Sequence, residues 1–191
     1  MNANDDALHL KADQLEAGFE HIRGAPQNAG VLEMIVRRPA IGAREVLADA
    51  RLDLAEGLVG DNWKARGSRS TPDGRANPEM QLNVMNARVV ALLAQTRERW
   101  SLAGDQLFVD LDLSQENLPV GTRLGLGAAV IEITAPPHTG CAKFMARFGT
   151  EALKFVNSPV GKQLRLRGLN AKVVQPGAIR PGDRIAKIAG A

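Results

Sequence analysis

Short apolar segments separated by glycine- and proline-rich turns run through most of the chain, and this pattern constrains its fold more than any other feature. Within the segments apolar residues alternate with polar ones or form brief runs, as strands do. Strands are predicted over residues 31–37, 44–50, 80–85, 108–113, 128–134, 169–175 and 183–188. Helices are predicted over residues 87–100, 142–148 and 151–156. The pattern therefore predicts a β-rich α+β fold, a β-barrel with peripheral helices.

The beginning of the chain departs from this pattern. Residues 5–23 are acidic and amphipathic, with apolar residues at helical spacing, so they predict a helix. The apolar stripe of this helix comprises Leu8, Leu15, Phe19 and Ile22. Residues 24–30 are typical of a linker. We expect a helix appended to the main domain, with His9 and His21 on its surface.

Length and composition limit the class of protein. A chain of 191 residues can form one domain with a substantial core. Its single cysteine, Cys141, excludes an intrachain disulfide, so nothing demands an oxidising compartment. The N-terminus is acidic rather than basic, and no apolar run approaches the roughly 20 residues needed to cross a bilayer. A cytoplasmic protein without a membrane partner is expected.

The stretch around Cys141 has the features of a chemical site. A predicted strand ends at Pro136-Pro137, where proline cannot continue the ladder. His138 follows three residues before the cysteine, and a short helix follows after it. Backbone N–H groups and cationic side chains at such a place favour thiolate. Alternatively, Cys141 is a small buried hydrophobe. His138 either favours the thiolate, relays a proton, or is an ordinary loop histidine.

Positive charge is concentrated after the cysteine. Residues 141–191 hold ten Lys or Arg against two acids, whereas the preceding 140 residues hold fourteen against nineteen. The cations nearest Cys141 in sequence are Lys143, Arg147, Lys154, Lys162, Arg165 and Arg167. This excess predicts either a pocket for an anion such as phosphate or a nucleic-acid face. Aromatic residues are few and tyrosine is absent, which disfavours nucleic acid because stacking platforms are lacking.

Two other loops can present polar groups to a ligand. Gly60-Asp61 and Glu116-Asn117 lie in predicted turns, and residues 62–79 form a long polar loop of the kind that is functional or disordered.

The sequence contains neither of the usual glycine-rich nucleotide-binding motifs. Three scattered histidines and one cysteine do not have zinc-ligand spacing.

Four motifs, taken in the order in which they occur along the chain, resemble the MOSC domain, which is named for the C-terminal part of molybdenum-cofactor sulfurases. The motifs are Gly57–Asp61, Gln115–Leu118 ahead of Gly121, Ile131–Cys141, and Arg167–Val174 leading to Arg180–Asp183. The likeness covers roughly residues 30–188. It implies a MOSC-like β-barrel over residues 30–191, with residues 1–29 as an N-terminal helix and linker.

The resemblance also implies a cofactor and a set of site residues. In such proteins the cysteine at the position of Cys141 is a molybdenum ligand in reductases of N-hydroxylated compounds, and is proposed to carry sulfur in others. A thiolate suits both roles, as a soft ligand and as a nucleophile. The phosphate of molybdenum cofactor would bind Lys or Arg such as Lys143, Arg147 and Arg167. Asp61 and Asn117 would contact the pterin, although both residue types also suit plain turns.

Some features depart from the family pattern. Many relatives have an arginine in the proline turn, whereas this chain has His138 nearby. An aminotransferase-like domain is lacking, so pyridoxal phosphate and cysteine desulfurisation are not expected. A ferredoxin-like domain is also lacking, so a reductase would need a separate electron-donor protein.

Three functions are thus compatible with the sequence. The first is a molybdenum-dependent oxidoreductase that acts on a small-molecule substrate, with Cys141 as metal ligand and His138 as a further catalytic residue. The second is a sulfur carrier with a persulfide on Cys141, or a cofactor carrier. The third is a non-catalytic binding domain.

Overall fold

The computed structural model describes residues 9–68 and 71–188. Its strands are β1 (Ala29–Arg37), β2 (Glu45–Leu47), β3 (Ala50–Asp53), β4 (Gly57–Leu58), β5 (Leu82–Asn86), β6 (Leu107–Asp110), β7 (Arg123–Leu126), β8 (Ala129–Ile133), β9 (Leu169–Gln175), β10 (Gly177–Ile179) and β11 (Arg184–Lys187). Its α-helices are α1 (Ala12–Glu16), α2 (Phe19–Arg23), α3 (Trp63–Arg66), α4 (Ala87–Ala94), α5 (Ala142–Asn157) and α6 (Pro159–Gln163). Two 3₁₀ segments span Pro78–Met80 and Arg97–Ala103.

Within the described residues, seven strands close into a barrel, which confirms the predicted fold class. Their order around the barrel is β1-β11-β7-β8-β9-β5-β6, and β6 returns to β1. The β5–β6 pair is parallel and the other pairs are antiparallel. A parallel pair needs a crossover, which α4 and the Arg97–Ala103 segment supply.

Strand alternation divides the apolar side chains between two cores. Leu82 and Val84 of β5 and Leu107 of β6 belong to the core inside the barrel. Their neighbours along the strands, Met85 and Phe108, belong to a second core outside it. Because successive side chains of a strand point to opposite faces, the same strands support both cores.

Helices cover the outer core. Phe144, Phe148 and Phe155 of α5 are buried there, and the rings of Trp100 and Phe108 lie 6.0 Å apart. From α1 and α2, Leu15 and Ile22 are also buried in this core. The helices thus form a layer packed on one side of the barrel.

The three-stranded sheet and strand β2 determine where two loops lie. In the sheet, β3 pairs with β10 and with β4, and the turn after β4 leads to Asp61. The strand β2 pairs with β1, so residues 38–44 form a short loop between them. In the polar segment predicted over residues 62–79, residues 69 and 70 lie outside the described residues, and the others include α3 and the start of the 3₁₀ segment at Pro78 in addition to irregular backbone.

Several predicted elements are divided in the structure. The predicted helix over residues 5–23 is two short helices, α1 and α2, in the described part; its residues 5–8 lie outside the described residues. The predicted strand 44–50 is split between β2 and β3. The predicted helix 87–100 ends at Ala94, because Gln95 adopts a left-handed conformation with φ 62° and closes the helix. The two helices predicted over residues 142–148 and 151–156 are confirmed, since α5 consists of two helical segments that meet at Gly149, whose φ of 91° and ψ of 168° are not helical.

The two N-terminal histidines differ in exposure. His21 is exposed as predicted, whereas His9 is half-buried. His9 lies against Gly149 in α5, where an added Cβ atom would approach the imidazole ring to about 2.9 Å. The surface prediction for His9 was therefore wrong, because the turn in α5 brings that helix against it.

None of the helices in the described residues is long and apolar enough to cross a membrane.

Candidate functional site

A cavity of about 220 Å³ lies beside Cys141, between the loop that follows β1 and the start of α5. Among the described residues that line it are six cationic side chains and no carboxylate. The cations are Arg38, Arg44, Arg66, Lys143, Arg147 and Arg167. Cys141 and His138 also line it. The structure thus brings together five residues predicted from the sequence: Cys141, His138, Lys143, Arg147 and Arg167.

Arg38 is fixed in the cavity wall by a buried ion pair with Asp61. Its Nε and Nη2 donate to the two carboxylate oxygens of Asp61, each at 2.9 Å. The carboxylate also accepts from the backbone N–H groups of Arg38 and Trp63, each at 2.9 Å. The side chain of Asp61 is fully buried. Asp61, predicted to contact a pterin, therefore lies behind Arg38, where it orients the guanidinium.

A second buried ion pair holds Arg167. Asp105 Oδ2 accepts from Arg167 Nη1 at 2.6 Å, and the guanidinium lies 4.9 Å from the centre of the Phe144 ring. Burial raises the pKa of Asp105, and the neighbouring Arg167 opposes this rise. The position of Arg167 is thus set on one face by a carboxylate and on another by an aromatic ring.

His138 is in contact with this pair. Its Nδ1 lies 3.4 Å from Oδ1 of Asp105, but neither atom has a hydrogen-bond partner among the described residues. Burial first, and then the positive charges of Arg167 and Arg38, lower the pKa of His138 well below its usual 6.5. His138 is therefore neutral near pH 7, and it contributes a polar ring rather than a charge to the cavity.

The other cations of the cavity repel one another. Burial and then the charge of Arg147 lower the pKa of Arg44, and burial and then the charge of Arg38 lower the pKa of Arg66. Like charges held together in partly buried positions are stabilised by an anion that binds between them. The electrostatics of the cavity therefore favour a multiply charged anion.

Some polar atoms at the cavity are buried without a hydrogen-bond partner in the part of the chain that the structure describes. These are Nε of Arg44, Nε of Arg167 and Oδ1 of Asn62. An unsatisfied buried polar group costs about 1–3 kcal/mol. Polar ligand atoms that reach these groups would recover part of that cost, so the cavity can bind a ligand with hydrogen-bonding atoms.

Cys141 lies at the edge of the cavity as the residue before α5. Its side chain is exposed, so the alternative that it is a small buried hydrophobe was wrong. The preceding residue, Gly140, is held by Asn157, whose Oδ1 accepts from the Gly140 N–H at 3.0 Å. Within the described part of the chain, no group of three or more His, Cys, Asp or Glu is placed to hold a metal ion. A metal at Cys141 would need further ligands from a cofactor.

Asn117 lies elsewhere. It lines a separate pocket with Lys187, whose ammonium group donates to Asn117 Oδ1 at 2.6 Å. Its Nδ2 donates to the backbone carbonyls of Gln27 and Asp112. Asn117 thus ties the N-terminal linker to the barrel, and the structure does not bring it to the cavity beside Cys141.

Sequence reasoning missed four residues of the site: Arg38, Arg44, Arg66 and Asp105. Three of them come from the first 66 residues, where acidic residues outnumber basic ones, so a count of charge along the sequence did not single them out. Arg38 had a weak signal, since it follows a buried strand and precedes Pro39. Asp105 had none, because only the closure of the barrel brings it to Arg167.

A comparison with protein families agrees with the resemblance noted in the sequence. The model described as the MOSC domain matches residues 62–186. This family is associated with molybdenum cofactor. No curated protein matches the sequence.

Solved structures share the fold. The YUAD protein from Bacillus subtilis is 16% identical over 82% of this chain and 94% of its own, with a TM-score of 0.55. YiiM from Escherichia coli is 16% identical over 84% of this chain and 71% of its own, with a TM-score of 0.54. At these identities the similarity establishes the barrel fold.

Proposed function

The chain belongs to the MOSC domain family, and from this premise we propose that it binds molybdenum cofactor at the cavity beside Cys141 and reduces an N-hydroxylated small molecule. One observation carries the proposal: the cavity combines a single exposed thiol with six cationic side chains. A thiolate is a soft ligand for a redox metal, and clustered Arg and Lys bind phosphate.

The residues of the cavity fit the proposed cofactor. Arg44, Arg66, Lys143 and Arg147 would hold its phosphate, since the described residues give none of these four a carboxylate within ion-pair distance. Arg38 and Arg167 are already paired with Asp61 and Asp105, so they would add positive potential from fixed positions. Cys141 would be the protein ligand of the metal.

The proposed reaction is the removal of one oxygen atom from the substrate. Two electrons and two protons convert an N-hydroxylated compound into the corresponding N–H compound and water. When bound, the cofactor would supply a redox metal for this two-electron reduction. A separate donor protein supplies the electrons. His138, neutral near pH 7, would hold a hydrogen-bonding nitrogen towards the substrate without adding charge.

The test is the molybdenum content of protein made in a host that synthesises the cofactor. Wild type is expected to carry near-stoichiometric molybdenum. The molybdenum content of Cys141→Ser is expected to be at least about tenfold lower, because a hydroxyl is a poor ligand for a soft metal. The doubly substituted Arg44→Gln/Arg147→Gln protein is expected to lose bound pterin as well as metal. Lys154→Gln, on the exposed face of α5, is the matched charge control. Metal-free wild type from a host with a verified cofactor supply would overturn the proposal.

A sulfur carrier is the second candidate, and the exposure of Cys141 favours it. Here the thiolate would bear a persulfide, which requires access for a donor and an acceptor protein. Treatment of purified protein with cyanide is expected to release thiocyanate from wild type but not from Cys141→Ser. Released thiocyanate without molybdenum would support the carrier over the reductase.

A further inference from the structure

A second cavity, of about 460 Å³, shares a wall with the one beside Cys141. His138 and Arg167 line both. The second cavity is formed by the loop Ala135–Thr139, by α6 and the turn after it, and by the start of β9. Its volume is within the range of about 300–1,000 Å³ that is usual for small-molecule sites.

The walls of this cavity are mainly apolar. Val120, Pro136, Pro137, Val156 and Leu169 contribute to them. Apart from Arg167, the cations that line the cavity are Lys162 and Arg165, and no acidic side chain among the described residues does so. In the described part of the chain, no carboxylate lies within ion-pair distance of Lys162 or Arg165. The cavity therefore offers apolar surface beside uncompensated positive charge.

The backbone conformation of Arg165 and a hydrogen bond place its side chain in this cavity. Its backbone has φ 48°, a left-handed conformation that is costly for a residue with a Cβ atom and is often found at binding sites. Its Nη1 donates to the carbonyl oxygen of Leu118 at 2.6 Å. Burial lowers the pKa of Arg165. A partly desolvated guanidinium, whose hydrogen-bond partners among the described residues are backbone carbonyls, is well placed to bind an anionic group.

We propose that this second cavity is a binding site for a small organic carboxylate with an apolar, ring-sized body. The body lies against Pro136, Pro137, Val156 and Leu169, and the carboxylate is bound by Arg165 and Lys162. The arrangement follows the usual design of a small-molecule site, in which apolar walls give affinity and a few polar groups fix orientation. The inference is independent of the proposed cofactor, because neither Lys162 nor Arg165 lines the cavity beside Cys141.

The test is a titration of the full chain with 4-fluorobenzoate, followed by ¹⁹F NMR, with the neutral 4-fluorobenzamide as the matched probe. Wild type is expected to bind 4-fluorobenzoate with a dissociation constant on the order of 1 mM, and 4-fluorobenzamide at least about tenfold more weakly. Arg165→Gln is expected to weaken 4-fluorobenzoate binding about tenfold, since charged hydrogen bonds are strong. Lys162→Gln, more exposed, is expected to weaken it about threefold.

Arg44→Gln is the matched control, because Arg44 is half-buried like Arg165 but lines only the other cavity. It is expected to leave the affinity for 4-fluorobenzoate unchanged. Should Arg165→Gln fail to fold, Lys162→Gln decides the outcome. Equal affinity for the two probes would overturn the proposal, as would binding that is lost in Arg44→Gln but kept in Lys162→Gln. Absence of saturable binding to wild type would also overturn it.

Discussion

At the scale of single residues, buried ion pairs determine how the cationic cavity is assembled. Asp61→Asn keeps the shape of the side chain but turns an amide towards Arg38, whose charge then lacks its partner in a buried place. Breaking a buried pair in this way costs about 3–5 kcal/mol. Asp73→Asn is the matched control, since its pair with Arg75 is exposed and is worth about 0–1 kcal/mol. Urea unfolding of both variants measures the loss in free energy of unfolding. Equal losses would show that the Asp61 pair contributes no more than an exposed pair.

His138 makes stability depend on pH. Its folded pKa lies well below the usual 6.5, so as the pH falls below 6.5 the unfolded chain takes up a proton that the folded protein does not. The stability contributed by neutral His138 is therefore present above pH 6.5 and is lost as the pH falls towards the folded pKa. The expected loss is up to about 1.4 kcal/mol per pH unit.

Urea unfolding at pH 7 and pH 5.5 of wild type and His138→Gln measures this effect. Wild type is expected to lose more stability than the variant. Asp105 has a raised pKa, so its contribution changes with the opposite sign, and the comparison with the variant separates the two. The same pH slope in both proteins would contradict the assignment to His138.

At the scale of elements, the kink in α5 ends the helical segment that carries Lys143 and Arg147. Gly149 has φ 91° and ψ 168°, which residues with a Cβ atom rarely adopt. An added Cβ would also approach His9 to about 2.9 Å. Gly149→Ala is expected to lower the free energy of unfolding by about 1–3 kcal/mol. Gly182 has φ 93° but open space around it, so Gly182→Ala measures the cost of the backbone conformation alone. Its loss in free energy of unfolding should be smaller than that of Gly149→Ala.

Elements with a local signal could be predicted, and those set by distant contacts could not. Residues 169–175 were predicted as a strand and form β9, because alternation and the flanking Gly168 and Pro176 define it within a few residues. The end of α4 at Gln95 has no such signal, since a left-handed glutamine is unusual. In the site, Cys141 and the cations after it share one stretch of sequence. Arg38, Arg44 and Arg66 reach them only when β1 closes against β6 and β11.

At the scale of the whole molecule, two hydrophobic cores lie on opposite faces of the same strands. Val109 of β6 belongs to the inner core, while its neighbour Phe108 belongs to the outer one. Loss of packing on one face of these strands should therefore also weaken the core on their other face. The helix α5, which carries Lys143 and Arg147, depends on the barrel that carries Arg38, so the cavity should form only when both layers are folded.

We expect the barrel and its helical layer to unfold in one transition. Trp100 packs on Phe108 in the outer core, so its fluorescence reports on the helical layer, whereas far-ultraviolet circular dichroism reports on the whole chain. In urea the two signals should have the same midpoint, with Trp63→Phe used to leave Trp100 as the only tryptophan. Phe108→Ala is expected to cost about 3–5 kcal/mol and to shift both signals equally. A fluorescence midpoint well below the dichroism midpoint would mean that the helices leave an intact barrel, and that the cationic cavity can come apart without global unfolding.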